Sequence, residues 1–538
     1  MASTSEVRVF ARQATGLTKD IGTLDTFIYN VNNQNIGIGV AFILLFVPGF
    51  YVGADLYQGI FIAMFLALPM ALVYAFFASA IPRSGGDYVY ISRTLHPLLG
   101  FVSSWNWVAW MIVYVGVPAA YFAQYGLSGL FRSLGVVTGN PDLIAFGNNF
   151  VDPVWILAVG TLLIVFFASI FILGTRIYFR LQNVVFAIGM IGVAAALGLG
   201  IMGSSADFGA NFDAYVSAAG GVANASANVV EPAPYDATQT LYSSTLALFI
   251  TLFAITSSFL GGEVRQARVA QFAGMPGGVI FVSVFMLLIV AVVVNLVGLP
   301  LLGGISAQYF SPGDGFGLAF VPTYNELIVM AFRDNVLVAL LLGFTFVFWT
   351  YVWLPINFLA STRALLAWSL DGLMPRRLSE VSEERHTPTV AIIVVAILGW
   401  FSLFMYTIGI GDFKINTLYG IFGWILSFLL CSIAAIVFPY KLRSVFESSP
   451  VNWRVAGIPV MSIVGVIATV ALLIVEYIWW FDPVNGLDST TAVLGDDRMK
   501  LITLAVLASG AIWYIVARYV QASRGVRIDR AFAEIPPE

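Results

Sequence analysis

The residues best suited to hold a small polar molecule crowd into one stretch, Asn30-Val31-Asn32-Asn33-Gln34-Asn35-Ile36-Gly37-Ile38-Gly39. It lies between two apolar runs, so it falls in the middle of a prospective membrane helix. Asn32, Asn33, Gln34 and Asn35 are consecutive and cannot share one helix face. An unbroken helix would show some of them to lipid, at about 1 kcal/mol or more each. Gly37 and Gly39 permit unusual backbone angles and close approach of a ligand. The expectation is a broken helix whose outer half starts near Gly37. Its free N–H groups, from Asn35 to Gly39, would face a cavity and suit a carboxylate. The competing reading is that the carboxamides bond to neighbouring helices and hold no ligand.

A second polar cluster lies further on. Thr251 is followed by Thr256-Ser257-Ser258 and then Gly261-Gly262. Hydroxyls can satisfy backbone groups freed by an unwound turn, and carbonyls freed around Phe253–Ser257 would form a helix C-terminus that favours a ligand's amino group. Such hydroxyls can equally bond back within their own helix. Other chemistry is scarce. The two histidines, His96 and His386, lie between apolar runs, and the one cysteine, Cys431, lies inside one. That excludes a disulfide framework, a cysteine metal cluster and a multi-histidine haem core. No nucleophile–His–acid set is available at membrane depth. Asp25, Asp55, Asp87, Glu263, Glu326, Asp371 and Asp412 fall near span ends or in loops. Glu476 sits within an apolar run beside Tyr477, Trp479 and Trp480. It reads either as a proton carrier or as a carboxyl reaching the interface.

The elements that position these residues follow from composition. The chain has 538 residues, 59% hydrophobic and only 10% charged, against about 25% charged in soluble proteins. Lipid is therefore its solvent, and about 20 apolar residues make one helical span. Twelve spans are predicted, at 21–48, 56–81, 97–131, 153–174, 177–203, 240–262, 277–300, 335–362, 388–408, 416–439, 456–481 and 499–521. Alternate segments carry 20 of the 25 Lys and Arg residues. By the positive-inside rule both termini are cytoplasmic. No basic tract suggests nucleic acid, and nothing calls for a cofactor.

Three motifs sit on the basic side: Ile81-Pro82-Arg83-Ser84-Gly85-Gly86-Asp87-Tyr88-Val89-Tyr90 with Gly100-Phe101 and Trp105; Gly262-Glu263-Val264-Arg265; and Ser361-Thr362-Arg363, Asp371-Gly372-Leu373-Met374-Pro375, Thr387-Pro388. In this order and spacing they resemble the amino acid–polyamine–organocation transporter family over about 400 residues. The resemblance implies an all-α membrane fold of 12 helices, an inverted five-plus-five (LeuT-like) repeat with discontinuous helices 1 and 6. It divides the chain into a cytoplasmic N-terminus (1–20), a first repeat (21–203), an outer loop (204–239), a second repeat (240–440), helices 11 and 12 (441–521) and a cytoplasmic C-terminus (522–538). It also implies alternating-access transport of an amino acid or amine at the cell membrane, with no enzymatic activity. The substrate site would lie between helices 1 and 6, walled by helices 3, 8 and 10.

By matched position Trp107 and Met111 would face that site. The family's Gly-Phe-Glu of helix 6 is replaced by Phe253-Ala254-Ile255. On this reading Asn32–Gly39, Phe253, Ala254, Thr256 and Ser257 bind substrate, with Phe249, Phe253 and Trp107 covering it. Glu263, Arg265, Arg363 and Asp371 form gate ion pairs at the inner mouth. The coupling ion is left open between H+ and Na+. Helix 5 lacks the lysine of some proton-coupled relatives, and Thr345 and Thr350 are candidate sodium ligands. The alternative is a non-transporting scaffold or accessory subunit that keeps the fold.

Overall fold

Lipid offers no hydrogen bonds, so an apolar run of span length must satisfy its own backbone by winding into a helix. In the computed structural model twelve helices meet the length and composition of a span: Thr23–Phe50, Leu56–Ala80, Pro97–Thr138, Pro153–Leu173, Thr175–Met202, Ala237–Phe259, Ala267–Val297, Val336–Leu370, Thr389–Ile408, Phe422–Lys441, Val460–Phe481 and Arg498–Ser523. The structure describes residues 16–410 except 310, 312 and 314, residues 420–492 except 488 and 489, and residues 497–526 with 528, 532 and 535. Asp412 and the first residues of the predicted tenth span lie outside these.

Five of the spans depart from regular α geometry. The first span divides into Thr23–Gln34 and Ile36–Phe50 at Asn35. The third carries a π-turn at Phe122–Leu127, just after Pro118. The sixth is α-helical through Thr251, then winds as a 3₁₀-helix over Leu252–Phe259. The eighth divides into Val336–Tyr351 and Trp353–Leu370. There Pro355 has no N–H for the Tyr351 carbonyl four residues back. The seventh span starts earlier than predicted, with a short helix Ala267–Gly274 before Pro276 opens the long one.

Burial sorts the helices. The apolar windows of the first and sixth spans are 83% and 89% buried, against 22% for the twelfth. The polar clusters therefore face protein, and the twelfth span faces lipid. On the face opposite the basic one, the short helix Tyr324–Ala331 is pinned by a buried ion pair from Arg132 to Glu326 at 3.0 Å. Glu326 also closes a capping box with Thr323, and the Arg132 guanidinium sits 3.5 Å over the Phe320 ring. On the basic face the helix Asp87–Thr94 follows a turn built on Gly85 and Gly86, at φ 108° and 57°. A small hairpin pairs Arg454–Val455 with Ile458–Pro459 on the same face.

Candidate functional site

Asn35 alone carries the break in the first span. Its backbone is left-handed, at φ 60° and ψ 80°, a conformation Asn tolerates better than most residues with a side chain. The side chain repairs what the break opens. Its Oδ1 accepts the Ile38 N–H at 3.1 Å, and its Nδ2 donates to the Trp349 carbonyl at 2.8 Å. Its own N–H reaches the Val31 carbonyl, and its carbonyl takes the Gly39 N–H, both at 2.9 Å. The predicted row of free donors from Asn35 to Gly39 is thus corrected. Only Ile36 and Gly37 keep N–H groups that the helix start does not use.

The glycines are helical and serve packing. A Cβ on Gly37 would lie 2.5 Å from the Trp349 Cβ, and one on Gly39 would lie 3.0 Å from Ile250 Cγ1. The unusual backbone angle that the sequence suggested for glycine belongs to asparagine.

The other carboxamides fan out. Asn30 donates to the Ser257 hydroxyl at 2.8 Å and accepts the Ser257 N–H at 3.1 Å. Asn33 donates to the Phe253 carbonyl at 3.1 Å and to the Thr256 hydroxyl. Its own carbonyl accepts the Trp353 indole N–H at 2.6 Å, and its Oδ1 accepts from the Asn357 amide at 3.3 Å. Gln34 turns back to the Asn30 carbonyl at 3.3 Å. Asn32 borders a small cavity with Tyr178, Gln182 and Tyr351, and its Oδ1 is buried without a partner.

The Phe253 carbonyl, expected to be open to a ligand, is therefore occupied by Asn33. The Ser257 carbonyl is likewise taken by Gln271 at 3.3 Å. The physical reason is that 3₁₀ winding leaves few carbonyls bare, and a facing carboxamide meets those that remain. Ala254 and Ile36 are wholly buried in this contact, and Ile38 nearly so.

Around the knot stands a cage of rings. Phe253 lies 5.6 Å from Phe249, 5.6 Å from Tyr114, 5.7 Å from Trp353 and 4.6 Å from Trp424, between ring centroids. Trp107 joins through Trp424 at 4.7 Å and stacks on Phe259 at 6.1 Å. The indole N–H groups of Trp107 and Trp424 are buried without partners. The sequence reading missed Tyr114, Trp353 and Trp424. Tyr114 was within reach, because Trp107, Met111 and Tyr114 fall at helical spacing on one face.

The basic face is shut. The Ile21 N–H bonds to the Glu263 carbonyl at 3.0 Å, and the Arg265 N–H to the Ile21 carbonyl at 2.8 Å. Arg363 grips Glu263 in a two-pronged pair, 2.7 Å from Nε and 2.8 Å from the second nitrogen, with both side chains buried. Asp371 pairs with Arg93 at 2.6 Å and accepts the Tyr88 hydroxyl at 2.7 Å. Arg93 was counted in the sequence only as a positive charge. Arg265 stands apart from these pairs, on the exposed rim with Asp20 at 2.9 Å. Thr345 and Thr350 donate to carbonyls of their own helix, Leu341 at 2.7 Å and Val347 at 2.6 Å. They border Gly192 and Gly126, on the fifth and third spans.

Twelve spans, the most enclosed of them meeting at buried polar groups, define a multi-pass membrane protein. The chain belongs to the amino acid permease family, whose model matches residues 21–494. This places it in the amino acid–polyamine–organocation superfamily, with that superfamily's inverted-repeat fold. A comparison with curated proteins finds no match.

Proposed function

We propose that the protein carries a neutral amino acid or related amine across the cell membrane by alternating access, with both termini in the cytoplasm. The observation that carries this reading is the break at Asn35 inside a cage of aromatic rings. Ile36 and Gly37 open the half-helix Ile36–Phe50. Their two spare N–H groups, at the positive end of its dipole, suit a carboxylate. The rings of Phe249, Phe253, Tyr114, Trp353 and Trp424 give an apolar enclosure with no Asp, Glu, Lys, Arg or His among the described residues that form it, which favours an uncharged side chain. An ammonium group would lie over ring faces once Asn33 and Phe253 separate. The ion pairs of Glu263 and Asp371 hold the cytoplasmic mouth closed in this state.

The test is uptake by purified protein in liposomes over a panel of amino acids and amines, under imposed gradients and in exchange. At least one neutral amino acid is expected to be accumulated or exchanged, and Phe253→Ala to lower its apparent affinity. If no compound is moved, and none raises the melting temperature of the purified protein, the reading fails. Gly37→Leu is a poor probe, since Trp349 leaves no room for any side chain there.

A further inference from the structure

One acid is buried where neither the gate nor the substrate cage uses it. Asp87 opens the helix Asp87–Thr94 and is 1% exposed. Its Oδ2 accepts the Ser103 hydroxyl at 3.2 Å, while its Oδ1 is buried with no partner. No ion pair reaches it among the described residues. Arg93 on its own helix is taken by Asp371, and Arg363 by Glu263. The titratable groups facing it are Tyr74 of the second span and Cys431 of the tenth, with Tyr90 beyond them against Tyr74. The third-span segment Pro97–Tyr121 offers Ser103 and contains no Asp, Glu, Lys, Arg or His. A carboxylate so placed has lost its water and gained no cation. Burial pushes the Asp87 carboxyl up to about 7.

Two further observations tie it to the transport cycle. The first is a polar ladder toward the cage. The Ser427 hydroxyl donates to the Ser103 carbonyl at 3.0 Å, and the Asn106 amide reaches Ser427 at 3.3 Å and the Gly423 carbonyl at 2.6 Å. Asn106 Oδ1 is another buried acceptor without a partner, and Gly423 adjoins Trp424 of the cage. The second is the lock on the chain just before Asp87. Ser84 bridges to Leu260, and the Gly85 N–H bonds to the Phe259 carbonyl at 3.1 Å. A Cβ on Gly85 would lie 2.6 Å from that of Ala367. The turn that leads into Asp87 is thus held against the end of the sixth span and against the eighth, the two spans that the Glu263–Arg363 pair joins on the basic face.

We propose that Asp87 is the proton-binding residue of the transport cycle. It takes up a proton, delivered by water, from the substrate side while the cytoplasmic face is closed, and it loses that proton to the cytoplasm when opening brings water to it. The step is a simple protonation, carboxylate plus proton to carboxylic acid, with no other reactant. It rests on the transport reading above and adds the coupling ion.

The test uses full-length protein in liposomes holding a pH-sensitive dye, with a neutral amino acid found to exchange. Wild type should acidify the lumen only when substrate is added. A gradient of one pH unit should drive about tenfold accumulation for one proton per substrate. Asp87→Asn should abolish both effects and still exchange labelled for unlabelled substrate, and Asp87→Glu should restore proton-driven uptake in part. Accumulation by wild type without acidification, or gradient-driven accumulation by D87N, would overturn the proposal. Loss of exchange by D87N as well would also overturn it, because Asp87 would then be needed for the fold or the substrate rather than for the proton alone. If wild type exchanges no substrate at all, the transport reading has failed, and the proposal falls with it.

Discussion

Asn35 is held by three demands at once: a left-handed backbone, a cap for Ile38 and a tie to Trp349. Substitutions separate them. Asn35→Gly keeps the backbone angle and loses both side-chain bonds; the cap alone is worth a few tenths, and leaving the buried Trp349 carbonyl without its donor brings the cost to about 1 kcal/mol. Asn35→Val adds a left-handed β-branched residue, for a total of roughly 2–3 kcal/mol. Melting of the two variants in detergent checks the order; equal losses would mean that the backbone angle contributes nothing. The sequence put the break in the right stretch, although Asn32, Asn33 and Gln34 all find protein from the regular helix Thr23–Gln34, which is enclosed on every side from Ile28 onward. It did not show which residue turns. Glycine is the usual candidate for an odd angle, yet Gly37 and Gly39 are there because Trp349 and Ile250 press against them. That pressure comes from distant helices and leaves no local mark.

The first, sixth and eighth helices are each interrupted, and their loose ends satisfy one another: Asn33 with the Phe253 carbonyl, Trp353 with the Asn33 carbonyl, Asn35 with the Trp349 carbonyl. The eighth helix could have been read as broken from Pro355. Its proline is a stronger break signal than any hydroxyl or glycine of the sixth helix, because it removes a backbone donor outright. On the basic face the sixth and eighth helices are joined by Glu263 and Arg363. Removing one partner leaves a wholly buried charge alone, so Glu263→Gln should cost about 3–5 kcal/mol. The double variant E263Q/R363M should recover a large part of that loss. Unfolding of the four proteins gives the coupling directly, and simple additivity of the single losses would mean that the pair is not a unit.

Across the whole molecule, the span count and the basic face were legible because lipid imposes length and lysine and arginine mark one side. The burial of acids at span ends was not. Asp87, Glu263, Glu326 and Asp371 stand in connecting segments by sequence, but those segments fold back against the bundle. Asp482 went unnoticed for the same reason. It is buried on the far face, where it accepts the hydroxyls of Tyr51 and Thr245 at 2.8 and 2.9 Å and the Val484 N–H at 2.8 Å. It thereby joins the ends of the first, sixth and eleventh helices. Burial pushes its carboxyl from 3.8 up to about 6, against the pull of those donors. A raised carboxyl pKa means that the folded protein binds the proton more tightly than the unfolded chain. Its contribution to stability is full below about pH 4 and is lost as pH rises through about 6. Two units correspond to roughly 3 kcal/mol at neutral pH. Asp87 titrates in the same sense, so the decisive comparison is wild type against Asp482→Asn, which removes one group only. Between pH 4.5 and 7.5 wild type should lose melting temperature relative to D482N, with most of the loss between 4.5 and 6 and a plateau above about 6. Parallel curves for the two proteins would show that Asp482 stays in one protonation state throughout, and that the tie between these three helices is indifferent to pH.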